Sequence, residues 1–148
     1  MNNQIDLTQR PPRSPRVRLG GFVILPRMLD KGRATLAGKN GEYHYNCPLD
    51  QRFIEFVQID PEALKEQLAA GKGDGEILKW IQETSKSKPC PVAINAWSAL
   101  SENRVPTDLE SRKYFNGMLE ACGPLREDIA GWFDLLDLDD HVSFGGKA

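Results

Sequence analysis

Tyr43, His44, Tyr45, Asn46 and Cys47 place two phenols, an imidazole, an amide and a thiol in one short stretch, directly ahead of Pro48. Proline suits the first turn of a helix, where its missing N–H costs nothing. The cluster therefore falls at a helix start, a place of free N–H groups and positive potential. Just upstream, Arg27, Lys31 and Arg33 outnumber Asp30. Concentrated positive charge beside two tyrosines is the pattern of a site for a small anionic ligand or an acidic partner surface. The expected ligand-binding residues are Arg27, Lys31, Tyr43, His44, Tyr45 and Asn46. A buried tyrosine pair around a hydrogen-bonded histidine, beside a solvated cationic helix face, explains the same residues without a ligand. Asp30 stands three residues from both Arg27 and Arg33, so it can pair with either along the helix.

A second constellation closes the chain: Asp137, Asp139, Asp140 and His141. Carboxylates take magnesium or calcium, and an imidazole favours zinc or another transition metal. The run lacks the glycine and the terminal glutamate of an EF-hand. It supports the alternative function, a metal-assisted enzyme. The competing account is an acidic helix end that pairs with a basic arm. His44 and Cys47 supply only two metal ligands, and others would have to come from distant positions such as Cys90. As a nucleophile and base, Cys47 and His44 lack a third orienting residue. With only two histidines, no Ser/His/Asp set can be assigned, and no resident cofactor is expected.

These groups need elements to position them. Leu25, Met28, Leu29, Gly32 and Leu36 recur at helical spacing and predict a helix over about 25–37. Pro26 lies in its first turn and Gly38 at its exit. Gly32 costs roughly 1 kcal/mol against alanine inside a helix, so another element is expected to approach closely there. Leu49, Phe53, Phe56 and Val57 mark the apolar face of the helix that begins at Pro48. Asp60 and Pro61 read as the cap and first residue of a third helix, with Leu64 and Leu68 inward. The glycine-rich loop 71–75 has neither the preceding strand nor the spacing of a phosphate-binding P-loop. It reads as a helix–helix turn, after which Asp74 caps a helix carrying Ile77, Leu78 and Ile81. The polar run 84–88 is the one internal linker candidate. Pro91 opens a helix with Ala93, Ala96, Trp97 and Leu100 inward. Thr107 and Glu110 form a capping box for a helix carrying Phe115, Met118, Leu119 and Cys122. Pro124 then starts a last helix with Leu125, Ile129, Trp132, Phe133 and Leu136.

About seven helices and no sustained strand alternation predict an all-α, compact single domain. Its expected extent is 19–148, behind an extended Pro/Arg-rich arm at 1–18. Pro11, Pro12 and Pro15 keep that arm out of helix, and Ile5 and Leu7 are placed to anchor it. Its PPRSPRVR segment can also grip phosphates, and SPR is a phosphorylation context. Residues 1–39 hold eight basic and two acidic side chains, +8 − 2 = +6, whereas 107–148 hold four basic and nine acidic ones, +4 − 9 = −5. The simplest consequence is that the arm lies against the acidic end, within one chain or between two, so an oligomer stays open. The overall charge of −2 argues against a dedicated nucleic-acid binder. Three widely spaced cysteines with no CxxC pair favour a reducing compartment. No apolar run nears the roughly 20 residues that span a bilayer, and the N-terminus lacks the apolar core of a signal peptide. The expectation is a cytoplasmic binding protein.

The segments DLTQRPPRSPRVRLGGFVILPRMLDKGRA, GEYHYNCPLDQRF and WFDLLDLDD resemble a bacterial family of short stand-alone proteins, the domain of unknown function numbered 5069. The resemblance extends from about Asp6 to Phe144. It implies an autonomous domain. It brings no catalytic motif, so no residue role is carried over.

Overall fold

The computed structural model describes residues 5–148. Residues 1–4 of the expected arm lie outside the described residues. Seven helices follow in order: α1 (Leu25–Leu36), α2 (Pro48–Val57), α3 (Pro61–Ala69), α4 (Asp74–Thr84), α5 (Pro91–Glu102), α6 (Leu109–Cys122) and α7 (Trp132–Ser143). The one extended pairing among the described residues is an isolated bridge between Leu19 and Phe22. The fold is all-α, as the periodicity predicts. Among the described residues no helix is long and apolar enough to cross a membrane.

Helix α1 is the axis of the bundle. Leu25, Met28 and Leu29 are fully buried, as their spacing requires. Leu36, assigned to the same stripe, is instead 43% exposed, whereas Ala34 in the same last turn is fully buried. The polar side of α1 is not solvated. Arg27, Asp30 and Lys31 are only 3%, 4% and 3% exposed. Nor does Asp30 pair along the helix. It accepts from the backbone and guanidinium of Arg13, while Arg27 goes to Asp140 and Lys31 to Asp50. Exposed helix pairs at i,i+3 are worth only tenths of a kcal/mol. A buried charge needs a dedicated partner, and the surrounding elements supply one to each.

Gly32 explains how closely they approach. A Cβ there would stand 2.6 Å from Leu68 Cδ1 of α3 and 3.2 Å from the Tyr45 ring. Phe53 and Val57 of α2, Leu64 of α3 and Ile77 of α4 complete the core around α1. Phe22 meets Phe53 edge-on at 5.2 Å, and Trp97 of α5 stacks on Phe56 at 4.9 Å. Ile24, which precedes α1, has φ 74°. That conformation is strained for a β-branched residue. Full burial and a hydrogen bond from its N–H to the Pro15 carbonyl hold it there.

Several elements depart from the sequence reading, each for a local reason. Gly73, not Asp74, is the cap of α4; Glu76 accepts from the Gly73 N–H, which frees Asp74 for Arg13 and Arg33. Asp108 with Ser111 caps α6 in place of Thr107 with Glu110. Helix α5 is rotated from the expected face, so Ala96 and Leu100 are exposed and Ile94, Trp97 and Ser98 turn inward. The cause is Ser98, whose hydroxyl bonds the Gly21 carbonyl and the Val23 N–H of the irregular segment before α1. The last helix begins at Trp132, not Pro124, and Leu125 is 92% exposed. Asp134 accepts from the Gly131 N–H and sets that start, turning Leu135 and Leu138 inward rather than Leu125 and Leu136. The run 84–88 is no linker: the Ser85 and Ser87 hydroxyls bond the carbonyls of Val57 and Phe56.

The arm lies along the bundle. Leu7 is buried, and its N–H donates to the Lys39 carbonyl at 2.9 Å. Arg16 reaches Asp134 and Asp137 on α7, which is the expected contact with the acidic end. Arg13 and Arg18 go elsewhere, to Asp30 with Asp74 and to Glu102. At Asp74, burial opposes ionisation, but hydrogen bonds from Arg13 and Arg33 outweigh it and hold the carboxyl below the ordinary 3.8. A folded pKa below the unfolded one contributes stability above the unfolded value, and that contribution is lost as pH falls through the folded one. Asp74→Asn is therefore expected to be less stable than wild type at neutral pH. Below about pH 4 the difference should shrink, because the wild-type carboxylate becomes protonated. Denaturant melts across that range check it; a constant difference would show that Asp74 ionisation is not the source.

Candidate functional site

The segment after α1 returns over its C-terminal half and leaves a cleft of about 620 Å³ against the start of the arm and α7. Leu7, Leu49, Tyr114, Leu136 and Phe144 give it aliphatic and aromatic walls. Arg27, Lys31, Tyr43, His44, Cys47, Glu42 and Asp139 bring polar atoms to it. Four of the groups singled out from the sequence thus meet in one place: Arg27, Lys31, Tyr43 and His44. The other two do not. Tyr45 points away, packs against Gly32 and donates its hydroxyl to the Pro61 carbonyl of α3. Asn46 takes part through its backbone N–H, which donates to Asp50 at 3.0 Å.

Two buried ion pairs form the floor. Arg27 donates to both oxygens of Asp140, at 2.7 and 3.3 Å. The Tyr43 hydroxyl donates to the same carboxylate at 2.7 Å, and the Arg27 guanidinium lies 5.5 Å from the Tyr43 ring centroid. Burial raises the pKa of Tyr43, and the hydrogen bond and charge of Asp140 raise it further, so the phenol stays protonated as the donor. Lys31 Nζ donates to Asp50 at 2.9 Å and to Cys47 Sγ at 3.1 Å. Asp50 is fully buried, so one carboxylate on α2 holds both the lysine and the turn that carries the cluster. Tyr45 is also raised, by burial first and then by the charge of Asp50.

The charge balance of the cleft differs from that of the residue list. Asp140 and Asp50 cancel Arg27 and Lys31. Glu42 and Asp139 have no hydrogen-bond or ion-pair partner among the described residues, nor has the exposed His44. With His44 neutral, the lining and its two buried partners sum to +2 − 2 − 2 = −2. Asp139 is pushed above the ordinary carboxylate value by burial and by the neighbouring Asp140, against the pull of Arg27. A partly desolvated acid in a cleft favours a ligand that carries positive charge or donates hydrogen bonds.

The C-terminal constellation is dispersed. Asp137 and His141 stand one turn apart on the same side of α7, whereas Asp139, two residues on from Asp137, turns to another side, and the carboxylates are taken up separately. Asp137 is held by Arg16, Asp140 by Arg27 and Tyr43, and Asp139 lines the cleft. His141 is exposed, with Nε2 3.1 Å from the Lys147 carbonyl. Among the described residues no three His, Cys, Asp or Glu groups are placed to hold a metal ion. The geometry that a metal-assisted enzyme would need at these four residues is therefore not formed.

Sequence reasoning missed Asp50, Glu42, Leu7 and Tyr114. Asp50 had a usable signal, an acid in the first turn of α2 where helix N-termini favour negative charge. Leu7 and Tyr114 had none, since only the fold brings the arm and α6 to the cluster. A search among curated proteins returned no match. Residues 9–142 match the family model described as Domain of unknown function (DUF5069), nearly the span that the sequence segments indicate, and the chain belongs to that family.

Proposed function

We propose that this chain is a binding domain whose ligand occupies the cleft between the 42–47 segment, the start of the arm and α7. The ligand is a small molecule with an apolar or aromatic body and a cationic or donor-rich head. The observation that carries this reading is the charge balance: both cations of the cleft are committed to buried carboxylates, and Glu42 and Asp139 are not committed. The pairing of Arg27 and Lys31 removes the argument for an anionic ligand at those two residues. The walls offer aromatic and aliphatic contact, and the fixed Arg27–Asp140–Tyr43 network keeps the floor in one arrangement. Preorganised polar groups on an apolar cleft are the usual composition of small-molecule sites. Three free cysteines support a reducing, cytoplasmic setting.

A panel of aromatic amines, amidines, carboxylates and phosphorylated metabolites tests it by thermal shift and NMR. Amines and amidines are expected to stabilise the protein, by about 2.7 kcal/mol at a hundredfold excess over Kd, and to perturb Tyr43, His44 and Tyr114. Asp139→Asn is expected to remove most of that gain. Stabilisation by the anions alone, or none from any amine, would overturn the reading.

A further inference from the structure

Of the three free cysteines, Cys47 is the one that the fold pairs with an amine. It stands at the cap position of α2, and its thiol makes no capping hydrogen bond to that helix. Its Sγ accepts instead from Lys31 Nζ of α1, at 3.1 Å. The Lys31 side chain is 3% exposed and is held against that sulfur by the fully buried Asp50, whose carboxylate accepts from the same Nζ at 2.9 Å. Cys47 is itself half-buried and lines the cleft, so a small solute reaches its sulfur from the open side. Cys90 is exposed and Cys122 half-buried, and among the described residues neither thiol has an amine partner. A nucleophilic sulfur, a fixed nitrogen beside it and an acid able to take the proton of that nitrogen are thus in one chain of contacts.

We infer that Cys47 and Lys31 form a modification site for hydroperoxides, at which oxidation of the thiol closes a sulfur–nitrogen bond between α1 and the start of α2. In the first step the sulfur attacks one peroxide oxygen. The S–O bond forms, the O–O bond breaks, and the thiol proton leaves with the departing hydroxide as water. Sulfur is oxidised by two electrons to a sulfenic acid, and the peroxide is reduced by the same two. Sulfenic sulfur is an electrophile that condenses with thiols and with nitrogen. Here the nitrogen at hand is Lys31 Nζ. In the second step the ammonium gives one proton to Asp50, and the freed amine attacks the sulfur. The S–O bond breaks, and hydroxide leaves with a second Nζ proton as water. Thiol, amine and hydrogen peroxide together give a sulfenamide and two waters.

The proton transfer also keeps the interior balanced. Removing one member of a buried ion pair is costly because it strands the other charge. In this reaction Lys31 becomes a neutral N–H and Asp50 a neutral acid, so neither charge is stranded. The bond fixes the turn before α2 to the helix beneath it. The site stands whatever ligand the cleft takes.

The test uses the whole chain with Cys90→Ser and Cys122→Ser, which leaves Cys47 as its one thiol. The protein is treated with hydrogen peroxide, digested with trypsin and mapped by mass spectrometry. A bonded Lys31 no longer permits cleavage, so the segment Met28–Arg33 is expected joined to Asn40–Arg52, two hydrogens lighter than the two peptides together. Dithiothreitol before digestion should abolish the link, because thiols reduce a sulfur–nitrogen bond. Dimedone present during oxidation should replace the link with an adduct on Cys47, since it captures the sulfenic acid. Lys31→Met should give no link and carry Cys47 on to sulfinic acid. That variant is expected to lose stability, so the decision rests on the protein with Lys31 intact. Oxidised Cys47 there, with Met28–Lys31 still released as a separate peptide, would overturn the bond. So would a link formed in equal yield in the urea-unfolded chain, where nothing holds the amine to the sulfur. A Cys47 that stays reduced in wild type at peroxide doses that oxidise Cys90 would overturn the site.

Discussion

Lys31→Met is expected to destabilise the protein by about 3–5 kcal/mol, the cost of stripping one partner from a buried ion pair. Asp50 has no exposure and, among the described residues, no second cation to turn to. It also accepts from the Asn46 N–H, so a carboxylate without its lysine would have to protonate or draw in water, loosening the turn. Lys31→Met combined with Asp50→Leu should recover much of the loss, because the remaining penalty is an unsatisfied backbone N–H of roughly 1–3 kcal/mol. Chemical unfolding of the two single variants and the double variant decides this. If Lys31→Met costs under about 1 kcal/mol, the size of an exposed pair, the pair is not buried in solution. The variants also separate stability from function. Lys31 lines the cleft and Asp50 lies beneath it, so ligand affinity in the folded double variant reports how far the turn geometry matters.

Asp140→Ala has the second large effect. It removes two hydrogen bonds from Arg27 and one from Tyr43 at once. It leaves an arginine that is 3% exposed without its carboxylate, and a loss of about 3–5 kcal/mol is expected. Tyr43→Phe takes away only the phenolic hydroxyl and should cost about 1 kcal/mol. The contrast distinguishes an ion pair that holds α1 to α7 from a tyrosine anchor that holds the 42–47 segment. Ligand affinity should fall in both, more steeply in Asp140→Ala, since Arg27 and Tyr43 then lose their fixed positions in the floor. Equal unfolding midpoints for wild type and Asp140→Ala would show that the acidic end of α7 does not clamp α1.

Much of the architecture is legible in the residues. Pro26, Pro48, Pro61 and Pro91 each stand in the first turn of a helix, and Gly38 at an exit, because these are local demands of backbone geometry. Gly32 signals a close approach, which α3 and Tyr45 make. The errors have a common origin. Thr107 and Glu110 fit the pattern of a cap, yet Asp108 and Ser111 fit it one residue later. Pro124 suits a helix start, but the Gly131–Asp134 bond sets the start of α7. Several local solutions of nearly equal energy compete at each end, and packing selects among them. The rotation of α5 is the same effect, since a buried serine is favourable only if something needs its hydroxyl.

By itself the sequence determined helix number, approximate extent and the attraction between a basic arm and an acidic end, because periodicity, capping and net charge act over short distances or add without regard to direction. Only the tertiary structure decided which charge meets which. Arg27 and Lys31 read as free cations until Asp140, 113 positions away, and Asp50, 19 positions away, are seen to face them. The cleft, expected to be positive, is left with uncommitted acids instead. Partner choice among buried charges depends on which side chains the fold desolvates together, and that is a property of three-dimensional packing that no spacing along the chain records.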